Sequence, residues 1–311
     1  MWFQLIRHAA LAVFTALGVA TFSFIALAVA PGDPAEAIAI ARYGTAGLTQ
    51  QRIEQVRQEN GLNAPRSVQF VRWLGRATTG DLGRGMVRSV PVSEEISRRL
   101  LKTAQIAATA ITLSLLIAIP CGILSAARPG RWLDRACSIA GLLGAATPGI
   151  CTALLLTLVF GVWLGWLPVA GSHCTTSLVL PVLTLAAANA AWTMKMLRAS
   201  MIEVLGQPFI RAAYARGFPE RTILFRLALK PALAPVVNIA GAQFMLLLEG
   251  SVLVEAIFAW PGVGRLLVES ALARDYPMIL GCTLVFGLAC VLVNSGTDVL
   301  AAYLDPRQVQ E

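Results

Sequence analysis

In a chain of 311 residues with 25 basic and 17 acidic side chains, the few groups able to do chemistry carry most of the information. Glu249 stands in the middle of an apolar run from Ala234 to Phe258. Asn294 and Asp298 are four apart in another run, from Met278 to Tyr303. Polar and ionisable groups at membrane depth are costly and face a cavity or a partner, so Glu249, Asn294 and Asp298 are candidates to line a transport path. A protonated, hydrogen-bonded packing role is the alternative for Glu249, and a helix-end interaction the alternative for Asp298. His173 and Cys174 adjoin in a short loop, but two ligands do not make a metal site. Cys121, Cys137, Cys151, Cys282 and Cys290 lie in apolar segments at no zinc-ligand spacing and read as small hydrophobes. No metal and no cofactor is expected. The three lysines, Lys102, Lys195 and Lys230, are preceded by Leu, Met and Leu, so there is no Gly-x4-Gly-Lys-Ser/Thr loop to cradle ATP. With only His8 and His173, no His-Glu-x-x-His and no Gly-x-Ser-x-Gly, no catalytic residue is expected, and an intramembrane hydrolase ranks last.

The stretch from Arg198 to Pro231 is the most informative. Pro208 suits the first turn of a short helix, and Gly217 with Pro219 closes it. Ala213 and Gly217, four apart and next to Ala212, predict a face nearly bare of side chain, to which another protein's surface can approach closely. Arg211 and Arg216 add charge, and Phe209 and Tyr214 add apolar anchors, the pattern of a helix laid into a partner's groove. A basic helix on anionic lipid is the competing reading, but lipid gives no reason for the small residues.

The elements that must position these groups are membrane helices. Hydrophobic residues make up 57% and charged residues 14%, against about 25% charged in ordinary globular domains. A crossing needs roughly 20 apolar residues, and six are expected: Ala9–Ala30, about Thr103–Ala127, two within the charge-free stretch Ala136–Met194 and its continuation to Leu197, Ala234–Phe258 and Met278–Tyr303. The charge-free stretch would be roughly 90 Å long as one helix. Its break belongs near Leu167–Ser177, and the fourth span then runs from about Leu178 to Leu197. A second interruption, Thr147-Pro148-Gly149, falls inside the third span, where irregular backbone is tolerated only if it lines a cavity or is covered by protein. Residues 1–30 are thus the amino terminus and first span, 31–102 an external folded segment and 103–311 a five-helix core.

Loop charge sets the orientation. Arg128, Arg131 and Arg135 flank one connection. Lys195, Arg198, Arg211, Arg216, Arg221, Arg226 and Lys230, against Glu203 and Glu220, fill another. Short loops rich in Lys and Arg are cytoplasmic, so both termini are expected inside. The formal net charge of +8 is an orientation marker rather than a sign of nucleic acid, and membrane lipid is the surrounding partner. In the external segment, Thr49 is expected to cap a helix over Gln50–Asn60 stopped by Gly61. A second amphipathic piece follows over Ser67–Leu74, then a turn at Gly80–Gly85. The segment suits a cap on the bundle or a dock for an external partner.

The stretch Arg211-Ala212-Ala213, three residues, Gly217, then Leu227-x-Leu229 and Pro231 resembles the cytoplasmic loop of the permease subunits of ATP-binding-cassette importers, in the dipeptide, oligopeptide and nickel branch. Arg211 stands where many members have Glu, and Pro231 comes one residue late. Pro31-Gly32-Asp33-Pro34, Gly80-Asp81-Leu82-Gly83, Leu197-Arg198-Ala199-Ser200-Met201, Phe258-Ala259-Trp260-Pro261-Gly262-Val263-Gly264-Arg265, Arg274-Asp275-Tyr276-Pro277 and Asp305-Pro306-Arg307 extend the likeness over nearly the whole chain. The resemblance implies an all-α, polytopic type I ABC importer permease fold with six transmembrane helices in the cell inner membrane. It also implies a second membrane permease subunit, two cytoplasmic ATP-binding subunits seated on the loop around Arg211, Ala212, Ala213 and Gly217, and a periplasmic solute-binding protein. Its cargo would be peptides, nickel or metallophore complexes. A self-sufficient transporter driven by an ion gradient is the rival; it predicts inverted repeats and midplane ion ligands, whereas the sequence has no visible repeat and one central carboxylate.

Overall fold

The computed structural model describes the backbone of residues 2–172 and 174–304, and the side chains among them other than those of residues 2–9, 238, 298 and 300–304. His173, the side chain of Asp298 and the Asp305-Pro306-Arg307 motif therefore lie outside the described residues. Among the described residues every regular element is helical. In chain order these are α1 (Trp2–Val29), α2 (Pro34–Tyr43), α3 (Gln50–Glu59), α4 (Arg66–Ala77), α5 (Val92–Ala127), α6 (Trp132–Ala146), α7 (Gly149–Leu156), α8 (Val179–Leu205), α9 (Pro208–Ala215), α10 (Glu220–Thr222), α11 (Leu229–Asn238), α12 (Ala240–Ile257), α13 (Val263–Ala273) and α14 (Tyr276–Leu304). Wider π-type turns extend α7 over Thr157–Trp163 and lead into α11 over Ile223–Ala228.

Five helices are long and apolar enough to cross a membrane: Ala10–Val29, Val92–Ala127, Thr175–Leu205, Ala240–Ile257 and Tyr276–Thr297. A bent pair, Trp132–Ala146 with Gly149–Trp163, is also apolar enough when taken together and turns by 107° at its break, the geometry of a broken span or a re-entrant loop. The bend has a local cause. Pro148 removes an N–H and pushes Thr147 out of the helical region, and Thr147 is extended at φ −83°, ψ 121°. Two other spans differ in their ends from the sequence expectation. The second begins at Val92, and its 36 residues reach about 54 Å at 1.5 Å each, so its first turns, with Arg98, Arg99 and Lys102, extend beyond about 30 Å of hydrocarbon. The fifth starts as α11 and breaks at Ile239 before α12 resumes, behind Pro235 inside α11.

The chain divides into two compact units, Met1–Ala104 with Ala259–Val291, and Gln105–Phe258 with the residues from Leu292 onward. In the first, α2 and α3 close on Ala35, Ile38, Ala39, Ile53 and Val56, all buried. Asp33 caps α2 by accepting the Ala35 N–H at 2.9 Å and pairs with Arg57 of α3 at 2.5 Å. Thr49 caps α3 through the Arg52 N–H at 3.3 Å, and Gly61, at φ +63°, follows its end. In the second unit α8 is the central helix, packed by α6, α7, α11 and α12. Small residues allow the approach: Gly144 faces Ala191, and Gly122 faces Leu197, the close packing that lets membrane helices associate where no hydrophobic force separates lipid from protein.

Candidate functional site

The helix α9 is built to present one face outward. Gln207 is extended and Pro208 occupies the first turn, where its missing N–H leaves nothing unsatisfied. At the other end Gly217 takes φ +78°. Its N–H donates to the Tyr214 carbonyl at 3.0 Å, and the Phe218 N–H donates to the Ala213 carbonyl at 3.2 Å. That pair of bonds is a Schellman ending, which calls for glycine at the left-handed position. Ile210 and Ala213 are buried and join Ile123, Leu197, Met201 and Ile223 in one apolar cluster. Phe209, Tyr214 and Phe218 are about half exposed, and Arg211, Ala212 and Arg216 are exposed. Arg211 Nη2 donates to the Gly206 carbonyl at 3.0 Å, at the negative end of α8. The expectation that Ala213 shares a bare outward face with Gly217 is corrected: Ala213 turns inward with Ile210, three residues before it, and the small residues left outside are Ala212, Ala215 and Gly217.

A second feature is a cleft of about 290 Å³ among α7, α8 and α12. Glu249, Gln243, Asn189, Thr184, Trp192 and Gly149 contribute to its wall. Glu249 is exposed, as are Met245, Leu246 and Leu253 of the same helix. A carboxyl group at membrane depth is costly unless it meets a cavity or a partner, and Glu249 meets this cleft. Gln243 accepts from the Thr193 hydroxyl at 3.0 Å, while its Nε2 is buried without a partner. Asn189 donates to Ser114 Oγ at 3.2 Å. Gly149 and Ile150, the residues just past the Pro148 bend, also line the cleft, so the irregular backbone falls where a cavity accounts for it. The three pathway candidates are not brought together. Glu249 lines the cleft, Asn294 packs directly over Gly241 of α12, and the side chain of Asp298 is not described.

Residues 118–310 match the profile of the family described as binding-protein-dependent transport system inner membrane component. The chain belongs to this family. It is 37% identical to the oligopeptide transport system permease protein AppB of Bacillus subtilis, over 97% of this chain and 98% of that one. It is 38% identical to the glutathione transport system permease protein GsiC of Escherichia coli K12, over 93% and 92%. Its fold is that of a type I ABC importer permease: the inward-facing MetNI methionine ABC transporter superposes with a TM-score of 0.57 at 20% identity, covering 68% of this chain and 96% of that one. An amino acid ABC transporter structure gives 0.53 at 16% identity, covering 68% and 94%. The chain is a multi-pass permease, and these relatives lend no support to the ion-gradient rival.

In the permease, the motifs at Pro31–Pro34 and Gly80–Gly83, with Arg274–Pro277, prove to be ties within the first unit. Arg274 donates from Nη1 to the Gly32 carbonyl at 2.8 Å and from Nη2 to that of Pro31. Arg42 Nε donates to the Met86 carbonyl at 2.8 Å. Asp275 Oδ2 accepts the Val87 N–H at 3.0 Å. Asp275 is buried, and that burial holds its carboxyl above the usual carboxylate range, against the pull of backbone N–H donors from Met86, Val87 and Met278. Asp81 accepts the Gly83 N–H at 2.9 Å, the side-chain turn expected of Asp before glycine. Trp260 Nε1 donates to the Lys102 carbonyl at 3.2 Å and the Val263 N–H to Thr103 Oγ1 at 2.8 Å, fixing the turn at Ala259, where φ is +51°.

The sequence reading missed one polar cluster. Asp134, buried at the start of α6, accepts Arg198 Nε at 2.6 Å on Oδ1 and Nη2 at 2.9 Å on Oδ2, the Gly130 N–H at 2.8 Å on Oδ2, and the hydroxyl of buried Ser125 on Oδ1. This joins α5, α6 and α8 just ahead of α9. The signal was present in the residue types: Asp134 is the one acid among Arg128, Arg131 and Arg135, and Arg198 follows soon after the charge-free stretch that ends at Met194.

Proposed function

We propose that this permease is the subunit of an ATP-driven importer that carries peptides across the cytoplasmic membrane, with both termini on the cytoplasmic side. A second, similar membrane subunit completes the path, two cytoplasmic ATP-binding subunits drive it, and an external solute-binding protein delivers cargo. The observation that carries the reading is α9. A helix anchored through Ile210 and Ala213 holds three half-exposed aromatic residues, Phe209, Tyr214 and Phe218, beside Arg211 and Arg216. Aromatic residues and arginine are the types enriched at binding hot spots, and the loop that carries them is the most basic in the chain. Peptides as cargo are supported by the named substrates of the relatives in Bacillus subtilis and Escherichia coli. The path is assigned to the Glu249 cleft.

Reconstitution of the chain with its co-encoded partners in vesicles tests this. Uptake of a labelled tripeptide should require ATP. Gly217→Asp, which strains the left-handed end of α9 and puts an acid on the docking face, should cut uptake at least tenfold while the membrane subunits still assemble. Uptake that persists with no ATPase in the purified complex overturns the reading.

A further inference from the structure

We infer that the cleft among α7, α8 and α12 recognises a protonated amine on the cargo, with Glu249 as its counter-ion and Gln243 bonding the polar group next to it. The inference rests on the cleft being the cargo path and adds the chemistry of what the cleft selects. None of the residues lining the cleft is Lys or Arg, and Glu249 appears in no ion pair among the described residues. Glu249 therefore sets a carboxyl group with no cationic partner among the described residues in a mostly apolar wall, where a cation is the complement. A second observation points to a ligand independently. Gln243 uses one end of its carboxamide on Thr193 and leaves the other buried and idle. Whichever way the amide is oriented, one hydrogen-bonding end is left without a partner just beneath the surface of the wall. Buried polar groups are nearly always paired, so the idle end marks a place for a polar group from outside. The rest of the wall suits the remainder of such a molecule. Trp192 is more than half exposed and offers an aromatic face that attracts ammonium ions, and Leu246 and Leu253 offer apolar surface to a side chain. A carboxylate, an idle amide and an apolar wall together fit the amine end of an uncapped peptide and disfavour anions.

The test reads the site directly in the intact complex, without transport. Dicyclohexylcarbodiimide, which takes up the proton of a carboxylic acid and adds its carboxylate to form an O-acylisourea, is applied to the full complex at mildly acidic pH, and modification of Glu249 is followed by peptide mass spectrometry. Glu249→Gln gives the blank. Hexylammonium and hexanol are the competing probes, alike in apolar chain and different in charge. Hexylammonium is expected to protect Glu249 at about tenfold lower concentration than hexanol, the gain of one charge-assisted hydrogen bond. Tri-leucine is expected to protect better than N-acetyl tri-leucine by a similar factor, and Gln243→Leu to weaken protection by tri-leucine while leaving the preference for hexylammonium over hexanol in place. Equal protection by amine and alcohol overturns the inference. So does a Glu249 that never reacts in the wild type, because an open carboxylate is the substance of the site. Either result leaves ATP-driven peptide uptake, and with it the permease reading, to stand or fall on its own measurement.

Discussion

Asp134→Asn removes one charge and no volume, so its effect isolates the electrostatics of the cluster with Arg198 and Ser125. In the wild type four donors converge on the two carboxylate oxygens. An amide can turn its oxygen to only one side, so two of the four donors would face an NH2 group. If Oδ1 keeps Ser125 and Arg198 Nε, the Gly130 N–H and Arg198 Nη2 are opposed. Breaking one partner of a buried pair costs about 3–5 kcal/mol. Asp134 is buried, with 6% of its side chain exposed, but Arg198 retains 31% and recovers part of its hydration, which places the cost near the low end, about 3 kcal/mol. Arg198→Lys keeps the charge and loses the two-point fork, for about 1–2 kcal/mol. A double-mutant cycle with Arg198→Ala and Asp134→Ala should return a coupling of about 2 kcal/mol, the pair removed together costing less than the sum of the two single losses. Thermal unfolding of the detergent-solubilised permease measures all five variants; 1 kcal/mol corresponds to about 2–4 °C for a unit of this size, so Asp134→Asn should lower Tm by about 6–12 °C. A shift under 1 °C, or singles that simply add in the double variant, refutes the reasoning.

Asp275 gives a pH dependence. Its carboxyl is raised by burial, so the folded chain holds that proton more tightly than the unfolded one. The stability this contributes is present below the ordinary Asp value of about 3.9 and is lost as pH rises through the folded value. Tm of the wild type minus Tm of Asp275→Asn should therefore fall as pH rises from about 4; a difference that grows over that window contradicts the burial argument. Gly281→Ala should destabilise by about 1–2 kcal/mol, because the added Cβ would lie 2.5 Å from Val92 Cγ1 and a β-branched side chain has little freedom to move aside. Val92→Ala should restore part of the loss, read by the same unfolding assay. Tyr214→Ala should leave Tm within about 0.5 kcal/mol of wild type, since Tyr214 is half exposed, yet lower peptide-stimulated ATPase activity of the complex at least tenfold; unchanged activity would remove the docking role from α9.

What was legible in the sequence is what is local. Thr49 before a helix, Pro208 and Gly217 around one, and Pro148 inside an apolar run each act through backbone chemistry within a few residues, and each appears in the structure where the residue types put it. Facing directions were less legible. Spacing puts Ala213 and Gly217 on one side of α9, but only the position of Ile210 in the apolar cluster decides that Ala213 points inward. Asn294 and Asp298 lie four apart on α14, yet nothing in their spacing reveals that Asn294 meets Gly241. Least legible was the pairing of Asp134 with Arg198, 64 residues apart, since each reads alone as a loop charge and only the crossing of α6 and α8 joins them. Glu249 was found because a carboxylate in an apolar run is conspicuous by itself, whereas the idle amide of Gln243 needed coordinates.

The ties in the first unit share a property that bears on how such a permease can diverge. Arg274 grips the carbonyls of Pro31 and Gly32, Arg42 that of Met86, and Asp275 takes the N–H of Val87. Every one of these joins a side chain to main chain. Each acceptor or donor on the far side is supplied by whatever residue occupies the position, so substitutions at Met86 or Val87 leave the bonds intact while substitutions at Arg42, Arg274 or Asp275 remove them. The main-chain side of each tie thus leaves its own residue type open, while the side-chain side is encoded in three distant letters, Arg42, Arg274 and Asp275.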